Sequence, residues 1–473
     1  MGPARRALAA LLTAAAVLAA PAAALAGPPP GQPGSPEYLA HDLRNIADAF
    51  GRQTGQQLAD PDYLPSLVFE ANKVSLNQLA DQVANLTRPA ISPGNVVPGW
   101  NVGNPLRAGW NGTRGIEVPV SWENRYGALI RGHVFAPKPG ARDPYTGRTL
   151  PAGKLPGVVI TTGSVQGSER MYFWLAQDLA ERGYTVLTYD VQGQGTSETL
   201  PHEGPVNALP FCNPFAQPQD LEQFGCPGVP FQQPANFVHG TTDALDFFTS
   251  DANPLRGQLD TSKLAIAGHS LGAAAVSYVQ GADPRVKAVV ALDKLDASGK
   301  LGVEGVTPRV PALAVQSEYG FTVAPYWLNG GSSLTPTPTS PTERPDPRRE
   351  QKTGFDAWRA KGVDTMLVVP RASTHLDYTD LPLVLPASRY GQALTSVYTQ
   401  AWLDRYLRGD RTADARLLAT KHRYLEPQGN GVWAPITLDR DALLSTYFCS
   451  GYDFRTAAGV RARDLDPGRV GGC

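Results

Sequence analysis

The alternation of short apolar runs with amphipathic segments predicts a mostly parallel sheet that is covered by helices on both faces. Continuous apolar runs of strand length are typical of strands buried on both sides. These runs lie at residues 158–162, 185–189, 264–267, 288–292, 312–315 and 366–369. Segments with helical spacing stand between them, as at 168–182 and 236–250, and a closing helix is expected near 388–408. This pattern indicates an α/β fold whose chemistry lies at the carboxyl ends of the strands.

Two further patterns of apolar residues precede this region. Residues 36 to 88 repeat apolar positions at helical spacing, first Leu43, Ile46 and Phe50, then the set Leu76, Leu79, Val83 and Leu86. They predict an N-terminal helical extension that packs on the main domain. Residues 116–122 and 127–135 alternate in the manner of two strands around a turn.

The predicted organisation has four parts. Residues 1–26 form a signal peptide, 27–115 a leader and the helical extension, 116–430 the α/β domain, and 431–473 a C-terminal tail. Two Pro-rich loop insertions, 198–234 and 321–350, follow strand ends of the domain.

The signal peptide is predicted from the first 26 residues. Arg5 and Arg6 precede an apolar stretch from residue 7 to 20, and the small residues Ala24-Leu25-Ala26 form a cleavage site. The apolar stretch is too short for a membrane span. We therefore expect cleavage after Ala26 and a secreted protein with no stable membrane anchor.

The charge balance and apolar content of the chain argue against some classes of protein and of binding partner. The 473 residues contain 42 Lys+Arg against 43 Asp+Glu, and 42% of them are hydrophobic. Ordinary apolar content with little net charge argues against a disordered chain. The absence of a basic excess argues against nucleic acid as a partner. The oligomeric state is not readable from the sequence.

Four cysteines suit an exported protein. Local pairing of Cys212 with Cys226 and of Cys449 with Cys473 is the preferred one of three arrangements. No Cys-x-x-Cys or Cys/His cluster is present, so no metal site is predicted.

A nucleophile is predicted at Ser270. Gly268-His269-Ser270-Leu271-Gly272 follows an apolar strand and opens a helix rich in small residues. In this context Gly-x-Ser-x-Gly is typical of a sharp strand-to-helix turn, where Gly268 and Gly272 leave room for the strained serine.

A base and an acid should accompany the serine. His375 follows the last predicted strand and is the preferred base. Glu318, after the strand at 312–315, is the first choice of acid, and Asp293 and Asp296 are the alternatives.

The oxyanion donors are expected on two loops. One is the backbone N–H of Leu271, and the other is that of Ser164 or Val165 in the turn after the strand at 158–162.

These motifs resemble the α/β-hydrolase superfamily, in the secreted bacterial branch that includes dienelactone-hydrolase-like proteins and esterases of polyesters or lipids. The turn Asp190-Val191-Gln192-Gly193-Gln194-Gly195-Thr196-Ser197 is similar to a segment of that family, and the resemblance covers roughly residues 116–408. It implies hydrolysis of a small-molecule or polymeric carboxylic ester through an acyl-enzyme, with no cofactor. An acyltransferase or a non-catalytic binding protein on the same fold are the alternatives.

Overall fold

The structure is a computed structural model that describes part of the chain. The described residues are 31–87, 102–151, 153–164, 167–198, 201, 234–297, 306–331, 333, 336–352, 354–383 and 386–465. The predicted signal peptide, most of the insertion 198–234, and Cys212, Cys226 and Cys473 lie outside these residues. Cys449 is described and is buried. Both predicted disulfides therefore stay predictions.

The strands are short and most of them are buried. In chain order they are β1 Gly115–Glu123, β2 Leu129–Pro137, β3 Leu155–Thr161, β4 Thr185–Tyr189, β5 Leu259–His269, β6 Val286–Leu292, β7 Ala312–Val315, β8 Gly330–Gly331, β9 Pro336–Thr337, β10 Thr365–Val368, β11 Lys421–Pro427, β12 Trp433–Asp439, β13 Gly451–Asp453 and β14 Ala462–Asp464. Each run that was predicted to be a strand overlaps one of them.

One large sheet organises the described residues. Its strand order is β1-β2-β4-β3-β5-β6-β7-β10-β13-β14, while β8-β9 and β11-β12 form two small sheets. The strands from β4 to β10 pair in parallel, and the pairs at both edges are antiparallel. The predicted mostly parallel sheet is confirmed, and the loops after β3, β5, β6, β7 and β10 therefore emerge at the same edge.

Helices cover both faces of this sheet. They are α1 Pro36–Ala49, α2 Tyr63–Ala84, α3 Phe173–Glu181, α4 Pro234–Thr249, α5 Leu271–Ala282, α6 Phe355–Ala360, α7 Gly391–Leu407, α8 Ala413–Leu418 and α9 Arg440–Leu443. Val158 and Ile160 of β3 pack with α3 and α7, whereas Val159 packs with α4 and α5. This alternation of strand side chains gives one core on each face. Of the described helices, none has the length and apolar character of a membrane span.

The N-terminal helices pack in a way that the apolar pattern did not predict. Helix α1 buries His41, Asp42 and Asn45, while Leu43 is 70% exposed. The predicted apolar set on α2 and just beyond its end is also exposed, and the buried residues of α2 are Tyr63, Val74 and Gln78. The polar face of α1 turns inward because it has polar partners there: Asp42 accepts a hydrogen bond from Tyr447, and Asn45 donates one to Glu318.

The predicted C-terminal tail is part of the main sheet. Strand β13 pairs with β10 antiparallel, and β14 pairs with β13. Tyr452 and Phe454 join the apolar core that contains α7. The α/β domain thus extends beyond the predicted boundary at residue 430.

The buried side chain of Asp178 connects several of these elements by hydrogen bonds. Its carboxylate accepts hydrogen bonds from Arg107 (2.9 Å), from Ser396 on α7 (2.7 Å) and from Tyr424 on β11 (3.1 Å). Arg107 and Asp178 are both buried, and each contributes to the charge compensation of the other; Asp380 also contributes to that of Arg107.

We predict that Asp178→Ala lowers the free energy of unfolding by about 3–5 kcal/mol, because it removes the carboxylate that is hydrogen-bonded to the buried Arg107. The matched control is Asp246→Ala, which removes a carboxylate that is 59% exposed and paired with Arg285. That change should cost less than about 1 kcal/mol. Urea denaturation followed by circular dichroism measures both, and equal losses would contradict the prediction.

Candidate active site

The turn between β5 and α5 holds Ser270 in a strained backbone conformation. Its φ is 56° and its ψ is −121°, values that a non-glycine residue rarely adopts. A Cβ atom at Gly268 would overlap the backbone of Gly272, and one at Gly272 would overlap the carbonyl oxygens of Thr161 and Thr162. Both glycines are therefore required by close backbone packing around the serine.

Neighbouring strands fix the position of this turn. The Ser270 N–H donates to the carbonyl oxygen of Leu292, the last residue of β6 (3.0 Å). Leu271 is the first residue of α5, where a backbone N–H has no acceptor within its own helix. Ser270 thus lies at a helix N-terminus, where developing negative charge is favoured.

His375 and Asp293 meet at the same edge of the sheet. Asp293 follows β6 and His375 follows β10 in the short 3₁₀ segment His375–Tyr378. His375 Nδ1 lies 2.6 Å from Asp293 Oδ2, and both side chains are buried. Because the carboxylate accepts, Nδ1 carries the hydrogen and Nε2 is left as the basic nitrogen.

The surroundings of Asp293 favour its ionised form. Burial raises the pKa of its carboxyl group, but the hydrogen bond and charge of His375 outweigh burial and hold the pKa below the usual value. The other carboxylate oxygen accepts from the Ser317 N–H (3.1 Å) and from the Gln316 side chain. Asp293 is therefore held as a charged acceptor that faces His375.

The carboxylate that reaches His375 is Asp293 and not Glu318, which corrects the first choice of acid. Among the described residues, the only hydrogen bond of the His375 imidazole to a carboxylate is the one with Asp293. Glu318 accepts instead from Ser445 Oγ (2.6 Å), Asn45 Nδ2 (2.9 Å) and the Ala372 N–H (2.6 Å). Asp296 lies beside α5, with its N–H 3.1 Å from Ser277 Oγ.

The environment of Glu318 is that of a buried structural tie. Burial raises the pKa of its carboxyl group to about 7, despite the hydrogen bonds from Ser445 and Ala372. It joins α1, the loop after β10 and the C-terminal segment at one point. The loop residues that follow it pair with the loop of His375, since the His375 N–H donates to the Gly320 carbonyl (2.9 Å). Glu318 thus supports the histidine loop from outside the reactive centre.

His269, the residue before the serine, is also fully bonded. Its Nε2 lies 3.0 Å from the carbonyl oxygen of His375, and its Nδ1 lies 2.8 Å from Tyr172 Oη. Burial, and then the charge of His375, hold the pKa of His269 well below its usual value. His269 is therefore a neutral residue, and its ring lies 4.5 Å from that of His375 between centroids.

The loop after β3 approaches Ser270 from the other side. A Cβ atom at Gly163 would lie 3.2 Å from Ser270 Cβ, so this loop is in direct contact with the turn. Gln194 holds the loop, because its Nε2 donates to the Gly163 carbonyl (3.0 Å) and its Oε1 accepts from the Gly167 N–H (3.2 Å). Ser164 is described within this loop, whereas Val165 lies outside the described residues; the predicted role of Ser164 stays a prediction.

The turn of Ser270 contacts the loop of His375 through His269. Within the described residues no bond joins Ser270 Oγ to His375 Nε2, although His269 links directly to His375. Phe321, which is 58% exposed, packs its ring edge-on against His375 with a centroid separation of 4.7 Å. In unliganded sites such bonds are often long and tighten when substrate binds.

Comparison with known proteins supports the fold. A family profile described as "alpha/beta hydrolase fold" matches residues 156–313, which include the Ser270 turn and Asp293. Residues 156–313 therefore have the α/β-hydrolase fold.

The relatives are similar to this chain over part of their length. A hydrolase from Fusarium sp is 29% identical over 180 residues, 38% of this chain and 33% of that protein. The 20-hydroxy-prefusarin hydrolase of Gibberella moniliformis is 30% identical over 202 residues, 42% of this chain and 36% of that protein. Cutinase 2 of Thermobifida cellulosilytica is 24% identical over 185 residues, 39% of this chain and 55% of that protein. The chain thus spans about a third of the length of the fungal hydrolases it matches.

Several residues of the site carry no signal in the sequence. Tyr172 and Gln316 belong to no motif, and their contacts depend on how loops meet in space. Gln194 lies in the turn that the family resemblance singled out, but only its bonds to the loop after β3 reveal its part. Among the described residues, no group of three or more His, Cys, Asp or Glu is placed to hold a metal ion.

We predict that Glu318→Gln changes how stability depends on pH. Because the folded state raises the pKa of Glu318 from 4.5 to about 7, its carboxyl favours folding when protonated, and this contribution is lost as pH rises through about 7. Relative to wild type, the variant should therefore gain about 3 kcal/mol in the free energy of unfolding between pH 4.5 and 8, at roughly 1.4 kcal/mol per pH unit.

The control for this change is Glu343→Gln, which alters an exposed glutamate. Urea titrations at several pH values give the free energy of unfolding of all three proteins. A constant difference between Glu318→Gln and wild type across this range would contradict the prediction.

Proposed function

We propose that the protein is a secreted serine hydrolase that cleaves carboxylic esters through an acyl-enzyme intermediate. The observation that carries the proposal is the buried Asp293–His375 pair beside the strained Ser270, at the sheet edge where strands β5, β6 and β10 end. A serine next to a histidine that is oriented by a carboxylate is the arrangement that activates a hydroxyl nucleophile. Secretion is proposed from the N-terminal sequence alone.

The roles follow from which atoms remain available. His375 Nδ1 is bonded to Asp293, so Nε2 takes the proton of Ser270 as Oγ attacks the ester carbonyl. The oxyanion that forms is stabilised by the backbone N–H of Leu271 and by that of Ser164. His375 then gives its proton to the leaving alcohol, and a water molecule, deprotonated by the same nitrogen, cleaves the acyl-enzyme and frees the acid.

An ester with an apolar acyl part suits the exposed surface beside His375. The exposed ring of Phe321 lies directly against His375, so a substrate that reaches the histidine passes an aromatic surface. The matched relatives are named as hydrolases and cutinases, which agrees with hydrolysis as the reaction class.

Reaction with a fluorophosphonate tests the proposed function. We expect a stoichiometric mass increase on the peptide that carries Ser270, lost in Ser270→Ala and kept in Ser262→Ala, which alters an exposed serine of β5. Hydrolysis of a p-nitrophenyl ester should likewise be lost in Ser270→Ala and kept in wild type and Ser262→Ala. Unlabelled wild-type protein would leave the fold without the proposed activity.

A second prediction separates the two carboxylates. Asp293→Asn should lower kcat about 10³- to 10⁴-fold, because the amide no longer orients the histidine as an acceptor for Nδ1–H. Glu318→Gln should retain kcat near that of wild type, since Glu318 bonds to Ser445, Asn45 and Ala372. Steady-state kinetics with the same ester measures both, and the reverse order would restore Glu318 as the acid.

A further inference from the structure

A chain of hydrogen bonds crosses the candidate active site behind Ser270. It begins at the Gly163 N–H, which donates to Tyr172 Oη at 2.9 Å. It continues from Tyr172 Oη to His269 Nδ1 at 2.8 Å and from His269 Nε2 to the His375 carbonyl oxygen at 3.0 Å. Its two ends are the loop expected to supply an oxyanion donor and the loop that carries the base.

The direction of every bond in this chain is fixed by its ends. The carbonyl oxygen of His375 can only accept, so His269 Nε2 carries the ring hydrogen and Nδ1 is an acceptor. Tyr172 Oη accepts from Gly163 and therefore uses its own hydrogen for Nδ1. The three bonds therefore have one consistent arrangement of hydrogens.

Packing around the chain leaves little freedom for its members. Tyr172 is 1% exposed and His269 is 3% exposed. A Cβ atom at Gly163 would lie 2.8 Å from His269 Nδ1 and 3.0 Å from Tyr172 Oη, so the loop backbone rests directly on both side chains. A shift of either side chain would therefore move the loop with it.

We infer that Tyr172 and His269 are positioning residues, which through this chain link the loop of Gly163 to the loop of His375 and set their separation, in addition to the bonds that Gln194 and Gly320 make to each loop. The inference rests on the proposed function. Their effect is expected on the chemical step, because a displacement of about 1 Å at a reacting group can cost on the order of a hundredfold in rate.

The test is Tyr172→Phe, with Tyr378→Phe as the matched control. Tyr378 is also buried and its ring lies 5.5 Å from that of His269, but its hydroxyl has no hydrogen-bond partner among the described residues. We expect Tyr172→Phe to lower kcat for a p-nitrophenyl ester about ten- to hundredfold with little change in KM. Tyr378→Phe should leave both constants near those of wild type.

Variants of His269 give a second, independent readout. Glutamine offers one acceptor and one donor spaced like the two ring nitrogens, so His269→Gln can rebuild the chain, whereas His269→Leu cannot. We expect the glutamine variant to keep at least tenfold more of kcat than the leucine variant at a similar melting temperature. If Tyr172→Phe does not fold, the comparison of His269→Gln with His269→Leu tests the inference by itself.

The outcomes separate the inference from the function it rests on. Wild-type protein that neither reacts with a fluorophosphonate nor hydrolyses the ester would overturn the proposed function. Active wild type with equal kcat in Tyr172→Phe and Tyr378→Phe would overturn the inference alone. A loss confined to KM, or equal losses in His269→Gln and His269→Leu, would overturn it as well.

Discussion

The close backbone packing around Ser270 is the constraint on which the site depends. The serine keeps a positive φ because Gly268 and Gly272 have no side chain, which lets their backbones pack against each other and against the end of β3. Such a conformation costs on the order of 1–3 kcal/mol and persists only where the surroundings over-determine it. Here the bond from the Ser270 N–H to Leu292 ties the turn to the end of β6, the strand that Asp293 follows.

This arrangement shows why the sheet edge, and no single loop, forms the site. Parallel strands bring the ends of β5, β6, β7 and β10 together, so residues that are distant in the chain become neighbours. Each loop is then held by polar groups of the next: Gln316 and Ser317 bond to Asp293, and Gly320 bonds to His375. The positions of the reactive groups thus depend on a continuous set of buried hydrogen bonds.

The sequence was sufficient for features that arise from local pattern. The apolar runs predict the parallel strands, and the glycine spacing predicts the turn at Ser270, because each of these depends on residues adjacent in the chain. The face that α1 buries was not predictable in this way. Its periodicity places Leu43 on the apolar side, yet His41, Asp42 and Asn45 are inward because Thr446, Tyr447 and Glu318, far along the chain, offer them partners.

The choice between Glu318 and Asp293 illustrates the same limit in chemical terms. Both carboxylates follow strands at the reactive edge, and both are fully buried, so sequence position alone does not separate them. The residues that surround each carboxylate distinguish the two. Asp293 faces a histidine whose charge lowers its pKa, whereas Glu318 lies among Ser445, Asn45 and a backbone N–H, and burial raises its pKa to about 7. The donors that make Glu318 a structural tie occupy both of its carboxylate oxygens, whereas Asp293 keeps Oδ2 for His375.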